Sequence, residues 1–422
     1  MKNNKALKIF CSMLALLTVF TSCKKEVPNI FNMLTDVELE YKSTLNQGEV
    51  YVEFTAALPT SGANSTKNMA RVELTEVGST TPARTIQLTS AQTKSYNSGV
   101  LILSSANPQT VTYNIKVIDD TNADITSLVT IAYPSGSQVV NNPILVTEAD
   151  TRTVNPGDNV YMDYTLTSKK DMRNVVFETF AGNAQPTRTN IVLLPDANKN
   201  NYRGVVRINM TRNGLNRYRI YATDVLNVFL GDDYKNVNIN VSNDHTIITN
   251  RFLYAPSLDA TSQNPDVTSA SFYSIATGET FNFANGKDNS AKIDFGIYIL
   301  PPVAPNVVPS LNLYTPNTPT TNPMAGKYDF TDWTKRTTVF TQGITANAKT
   351  IFDNTLTSGL SIQTEAVKLA SALNRTSVTN IATGSILYFR TQEGKYGVLY
   401  INGFTRDYLN RWFMNIDVKI QK

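Results

Sequence analysis

The chain has 422 residues with 38 Lys and Arg against 34 Asp and Glu, one His and two Cys. One His (His245) and so few Cys leave no ligand set for zinc or haem, no disulfide framework and no His-based catalysis, and no cofactor is expected. Setting aside the three lysines of the N-terminal region leaves 35 basic groups against 34 acidic ones, so no basic face for nucleic acid is indicated.

Lys2, Lys5 and Lys8 lead into an uncharged, mainly apolar run from Ile9 to Phe20. A basic start and an apolar stretch too short to span a bilayer, which needs about 20 residues, read as a secretory signal. The run stops at Phe20-Thr21-Ser22-Cys23, which resembles the lipobox of bacterial lipoproteins, with Phe20 where Leu is usual. The resemblance implies a signal peptide over 1–22, lipidation of Cys23 and a tether over 23–33. Several acyl chains hold firmly where one would not, so the membrane is an expected partner. Lys24 rather than Asp after the Cys implies an address at the outer membrane or cell surface.

Two stretches repeat without a gap. Gly99, Tyr113, Ile115, Asp119 and Asn122 recur as Gly204, Tyr218, Ile220, Asp224 and Asn227. Upstream, Val50-Tyr51-Val52-Glu53-Phe54 pairs with Val160-Tyr161-Met162-Asp163-Tyr164, each introduced by Gly and an acid, Gly48-Glu49 and Gly157-Asp158. Period-two alternation bounded by Gly, Pro, Asn and Ser predicts short half-buried strands. Their duplication predicts two tandem immunoglobulin-like β-sandwiches, over 34–132 and 133–243. Asp119 and Asn122, with Asp120 and Asp124, could suit a hard cation. The second copy offers Val225 and Leu226 instead, which favours a turn built by Asp and Asn.

A junction near 244–250 leads into a third, β-rich domain over 246–422. Runs at 271–275, 280–283 and 293–298 read as strands. Seven prolines from Pro301 to Pro323 argue against a central strand or a helix and predict a long surface loop. Apolar spacing predicts helices over 349–356 and 364–374, and the chain closes with a hairpin over 386–401 and a strand over 415–420. The fold class is therefore mostly β, with one or two short helices.

Ile293-Asp294-Phe295-Gly296, Tyr328-Asp329-Phe330-Thr331-Asp332-Trp333-Thr334 and Tyr388-Phe389-Arg390-Thr391 followed by Gly394-Lys395-Tyr396-Gly397 carry a further resemblance. Together they resemble a C-terminal β-rich domain of surface lipoproteins that accompany outer-membrane glycan-utilisation systems of the starch-utilisation type. The resemblance implies outer-membrane transport proteins as partners and assigns no activity.

No phosphate-cradling loop, HExxH, GxSxG or Ser-x-x-Lys constellation with supporting partners is present, and no carboxylate pair stands out, so an enzyme is not expected. Binding of sugar needs aromatic faces flanked by amides, carboxylates or guanidinium groups. Two clusters qualify: Trp333 with Asp329, Asp332, Lys335 and Arg336, and Trp412 with Tyr408, Asn410 and Arg411. A core role for either Trp, or stacking of Arg406 or Arg411 on the rings, fits the same residues. The expected function is non-catalytic binding of a glycan by the third domain, carried on the two sandwiches as spacers. The alternative is a structural or adhesive surface protein that docks protein partners.

Overall fold

The computed structural model describes residues 37–133, 139–180, 185–231, 235–256, 266–300, 309–318, 324 and 327–422. The signal peptide, Cys23 and the tether lie outside the described residues. The chain divides into two compact units. The first holds the described residues up to Thr151 with Asn159–Ile208 and Asn216–Ile239, and the second holds Arg152–Asp158, Asn209–Leu215 and Asn240–Lys422.

The first unit is built from strands. Glu49–Val52 pairs with Val139–Val140 and Leu101–Ser104, and Met69–Glu76 pairs with Arg84–Gln87 and Tyr113–Asp119. Val50, Phe54, Met69, Val72, Leu74 and Val117 fill the core that these strands enclose. A second sandwich is centred on Asn159–Ser168, which pairs with Val37–Lys42, Ile144–Leu145 and Asn201–Asn209. Its other sheet runs through Asn174–Phe180, flanked by Thr187–Leu193 and Gly214–Thr223.

The two modules share boundary strands in a way that the sequence does not reveal. Val37–Lys42, expected in the first sandwich, pairs along its whole length with Asp163–Ser168 in the second. Val139–Val140, expected in the second, pairs with Tyr51–Val52 in the first. Alternation reports which side chains are buried but not which neighbour buries them. The junction is closed by charge. Arg203 donates to both oxygens of Glu49 at 2.6 and 2.9 Å and to both of Asp163 at 3.0 and 2.6 Å. Tyr51 donates to Asp163 at 2.7 Å, and Arg207 donates to Glu53 and Asn159. The Arg203 guanidinium holds the Glu49 carboxyl down at about 2.

The repeat has a physical basis in its turns. Asn46 and Asn155 each donate their backbone N–H to the acid three residues on, Glu49 and Asp158, across glycines at φ +82° and +93°. That left-handed position is one a side chain would strain.

The second unit packs two five-stranded sheets. One runs His245–Tyr254, Trp412–Gln421, Tyr396–Arg406, Ile386–Arg390, Val339–Phe340, and the other Thr280–Phe281, Phe272–Tyr273, Phe295–Leu300, Ser310–Tyr314, Ser377–Val378. Leu253, Phe295, Ile297, Leu311, Phe389 and Leu399 fill the core. Helices Ala348–Thr350, continued by a wider turn over Ile351–Thr355, and Gly359–Lys368 place Phe352, Leu356, Ile362 and Ala366 against Tyr388 and Val398.

Four expectations change here. The 244–250 junction is ordered structure: His245–Tyr254 is a strand, and Asp244 accepts from the Gly359 and Leu360 amides, capping the helix that Ser358 opens. Asn250 at φ +53° marks a register shift in that strand, which hid its alternation. Ser310–Tyr314 is a buried central strand within the Pro-rich stretch. The residues between Pro309 and Pro316 all carry an N–H, so the prolines flank the strand without entering it. The second expected helix starts at Gly359 and ends at Lys368. A further helix, Phe283–Asn289, follows the N-cap Asn282.

Candidate functional site

The outer face of the first sheet is covered over part of its length by the helices Ala348–Thr350 and Gly359–Lys368, and beyond them no helix covers it among the described residues. On Trp412–Gln421 the odd-numbered side chains face outward: Lys419 donates to the Phe352 and Leu356 carbonyls on the helical side. Asp417, Asn415, Phe413 and Arg411 follow along the same face. The even-numbered Met414, Ile416 and Val418 enter the core.

Beyond the helices this face is aromatic. Tyr254 lies directly across from Phe413, and Phe252 across from Asn415. Phe413 meets Phe252 at 5.5 Å and 64° and Tyr254 at 5.6 Å and 43°. The rings are inclined, so they form a shallow cradle and not a plane. Phe252 is 45% exposed. The Arg411 guanidinium lies 4.7 Å over the Tyr254 ring. On the opposite flank, Gly403 and Thr405 pair with Asn415 and Phe413, and among the described residues a Cβ at Gly403 would meet nothing within 4 Å. Asn415 accepts from Asn402 at 3.5 Å. Aromatic faces, a guanidinium and amides on one open surface are the donor set that a sugar or a polar partner would use.

The loop that carries the sequence candidates is a turn that occurs three times among the described residues. The Asp407 N–H donates to the Arg411 carbonyl, Asn410 N–H to the Asp407 carbonyl, and Asp407 Oδ1 accepts from the Leu409 and Arg411 amides. The same pattern runs through Asp119 to Ala123 and Asp224 to Val228. Asn122, Asn227 and Asn410 occupy the left-handed position at φ +66°, +60° and +63°. This is a three-residue hairpin with a left-handed bulge residue, in which Asp binds its own backbone. Asp119 and Asp224 are therefore turn residues, and among the described residues no group of three metal-ligating side chains occurs. Asn410 serves the turn too, its side chain accepting from Arg406 at 2.7 Å.

Of the other sequence candidates, Tyr408 is 92% exposed at the tip and Arg411 joins the cradle, salt-bridged to Asp407 at 2.7 Å. Trp412 faces the opposite way. It packs against the core cluster, stacked on Phe404 at 4.8 Å, with the Arg406 guanidinium 4.5 Å over its ring. The cradle uses its neighbour Phe413 because side chains alternate along a strand. Trp333 is corrected from platform to core. It is 7% exposed, packed on Phe272, Phe283 and Phe330, and a Cβ at Gly286 would lie 2.3 Å from its ring. Arg336 is spent on Asp294 at 3.0 Å and Glu393 at 2.6 Å, and Asp332 on Lys287.

Within the resembling motifs, Asp294, Gly296 and Gly397 serve packing and buried hydrogen bonding. Asp294 is fully buried and accepts from Ile275, Arg336 and Thr338. A Cβ at Gly296 would press on Phe272, and one at Gly397 on Phe389. Sequence reading missed Phe252 and Tyr254 because their strand was not recognised.

Fold and surface define a modular β-sandwich protein with an exposed aromatic cradle on its C-terminal unit. The chain is similar to the fibronectin(III)-like modules of CbhA from Clostridium thermocellum at 14% identity and a TM-score of 0.15, over 49% of this chain and 94% of that one. It is similar to transglutaminase from red sea bream at 12% and 0.17, over 50% and 30% of the two chains. No family model and no curated protein sequence matches the chain. The fold class rests on the sheets themselves, since likeness at these TM-scores carries no argument.

Proposed function

We propose that this is a non-catalytic, lipid-anchored surface protein whose C-terminal unit binds a glycan on the Phe252, Tyr254 and Phe413 cradle. The observation that carries the reading is the placement of these rings together on one sheet face, with Phe252 45% exposed, beside Arg411 and Asn415. Pyranose CH faces stack on exposed rings, while the guanidinium and amides bond to hydroxyls. The lipobox resemblance supports the anchor, and the β-sandwich modules fit a role as spacers. The resemblance to glycan-utilisation lipoproteins supports outer-membrane transport proteins as partners.

The test is affinity electrophoresis of the whole chain against a panel of soluble polysaccharides. Retardation by at least one glycan is expected, lost in Phe413→Ala with Tyr254→Ala and kept in Trp333→Phe. Retardation by none overturns the glycan reading in favour of protein docking. Cys23→Ala should move the protein from membrane to soluble fractions, and retention at high salt would refute the anchor.

A further inference from the structure

The three copies of the Asp-x-x-Asn turn have one backbone and different tips. At the first, the positions inside the turn are Asp120 and Thr121, followed by Ala123. At the second they are Val225 and Leu226, followed by Val228, exposed by 72%, 77% and 53%. The turn itself therefore does not require apolar side chains there. Val225, Leu226 and Val228 thus place three neighbouring aliphatic groups in water on one hairpin tip.

The position of this tip identifies its occupant. Val37, the first described residue, pairs with Ser168. Ser168 ends its strand, and the next begins at Asn174, which pairs with Thr223 at the base of the tip and donates to Asn227 at 3.1 Å. Arg173 N–H donates to the Thr223 carbonyl at 2.7 Å. Val37 and Leu39 line one cleft with Ile220, Phe229 and Leu230. Chain entry and apolar tip thus lie at the same end of the second sandwich. Thirteen residues separate Cys23 from Val37, and thirteen residues span at most about 45 Å.

We propose that the Val225, Leu226 and Val228 tip inserts into the interface of the phospholipid bilayer that holds the anchor, fixing the orientation of the second sandwich on the membrane. This rests on the reading of Cys23 as lipidated. The anchor brings the tip within reach, and the tip adds a second point of contact, since aliphatic side chains gain by leaving water for the acyl boundary.

The experiment uses the lipidated full chain carrying Leu226→Cys, with an environment-sensitive fluorophore on that thiol. It is bound to vesicles of phosphatidylethanolamine and phosphatidylglycerol and compared with Thr121→Cys labelled in the same way. Blue-shifted emission at 226, protected from iodide and quenched by spin-labelled phospholipid, is expected, while 121 stays water-exposed. Adding Val225→Ser and Val228→Ser should return the probe at 226 to water about tenfold more often. Equal exposure at 226 and 121 overturns the proposal, as does a probe that stays inserted without the two valines. Failure of the anchor reading is separate: the chain would not bind the vesicles at all, and Cys23 would take the label.

Discussion

Two aromatic regions of the C-terminal unit carry the same residue types to opposite ends. Around Trp333 the rings close on each other, with Phe283 stacked on Tyr328 at 4.2 Å and 9° and on Trp333 at 5.4 Å and 18°. The nearby Arg336 is consumed by Asp294 and Glu393. Around Phe413 the rings tilt against each other on a sheet face, and Arg411 lies over one of them with half of its side chain in solvent. An aromatic and basic cluster is therefore not a site by composition. What separates the two is cover: the first has a helix and a loop over it, and among the described residues the second has no helix over it.

Substitutions can break or sharpen this contrast. The largest effect is expected for Trp333→Ala, which opens a cavity in a closed cluster and should cost about 3–5 kcal/mol. Urea unfolding of the C-terminal unit would measure it, and a loss below about 1 kcal/mol would mean that the cluster is not closed. Arg336→Met should follow at about 3 kcal/mol, because it strands the buried Asp294 carboxylate. Arg411→Met should leave the urea midpoint in place and weaken glycan retardation. Phe413→Ala with Tyr254→Ala should cost about 1–2 kcal/mol while abolishing retardation, so stability and binding come apart on the cradle.

A pH series gives a smaller effect. Burial, aided by Lys419, holds His245 below its ordinary range. The folded unit therefore keeps it neutral while the unfolded chain takes up a proton near 6.5. Stability is fully present above that pH and declines as pH falls through it. Urea midpoints at pH 7.5 and 5.5 should differ in the parent and converge in His245→Gln, and an undiminished difference would assign the effect elsewhere. Smallest of all, Tyr408→Ala should not move the midpoint, because its side chain is at the turn's tip in solvent.

The sequence by itself determined the local chemistry. Alternating runs, the repeated Gly-acid pairs and the Asp-x-x-Asn spacing each specify a backbone conformation through neighbours a few residues away, and the strands and turns of the repeat appear in the structure. Tertiary structure alone decided partners and faces. Val37–Lys42 completes the second sandwich and not the first, because a strand with one apolar side accepts any sheet that buries it. Ser310–Tyr314 fits between prolines because its own residues keep their N–H groups and pair with Phe295–Leu300 on one side and Ser377–Val378 on the other. Trp412 turns inward and Phe413 outward, one residue apart, because the choice between alternate faces belongs to the sheet above the core, which is assembled from strands distant in sequence.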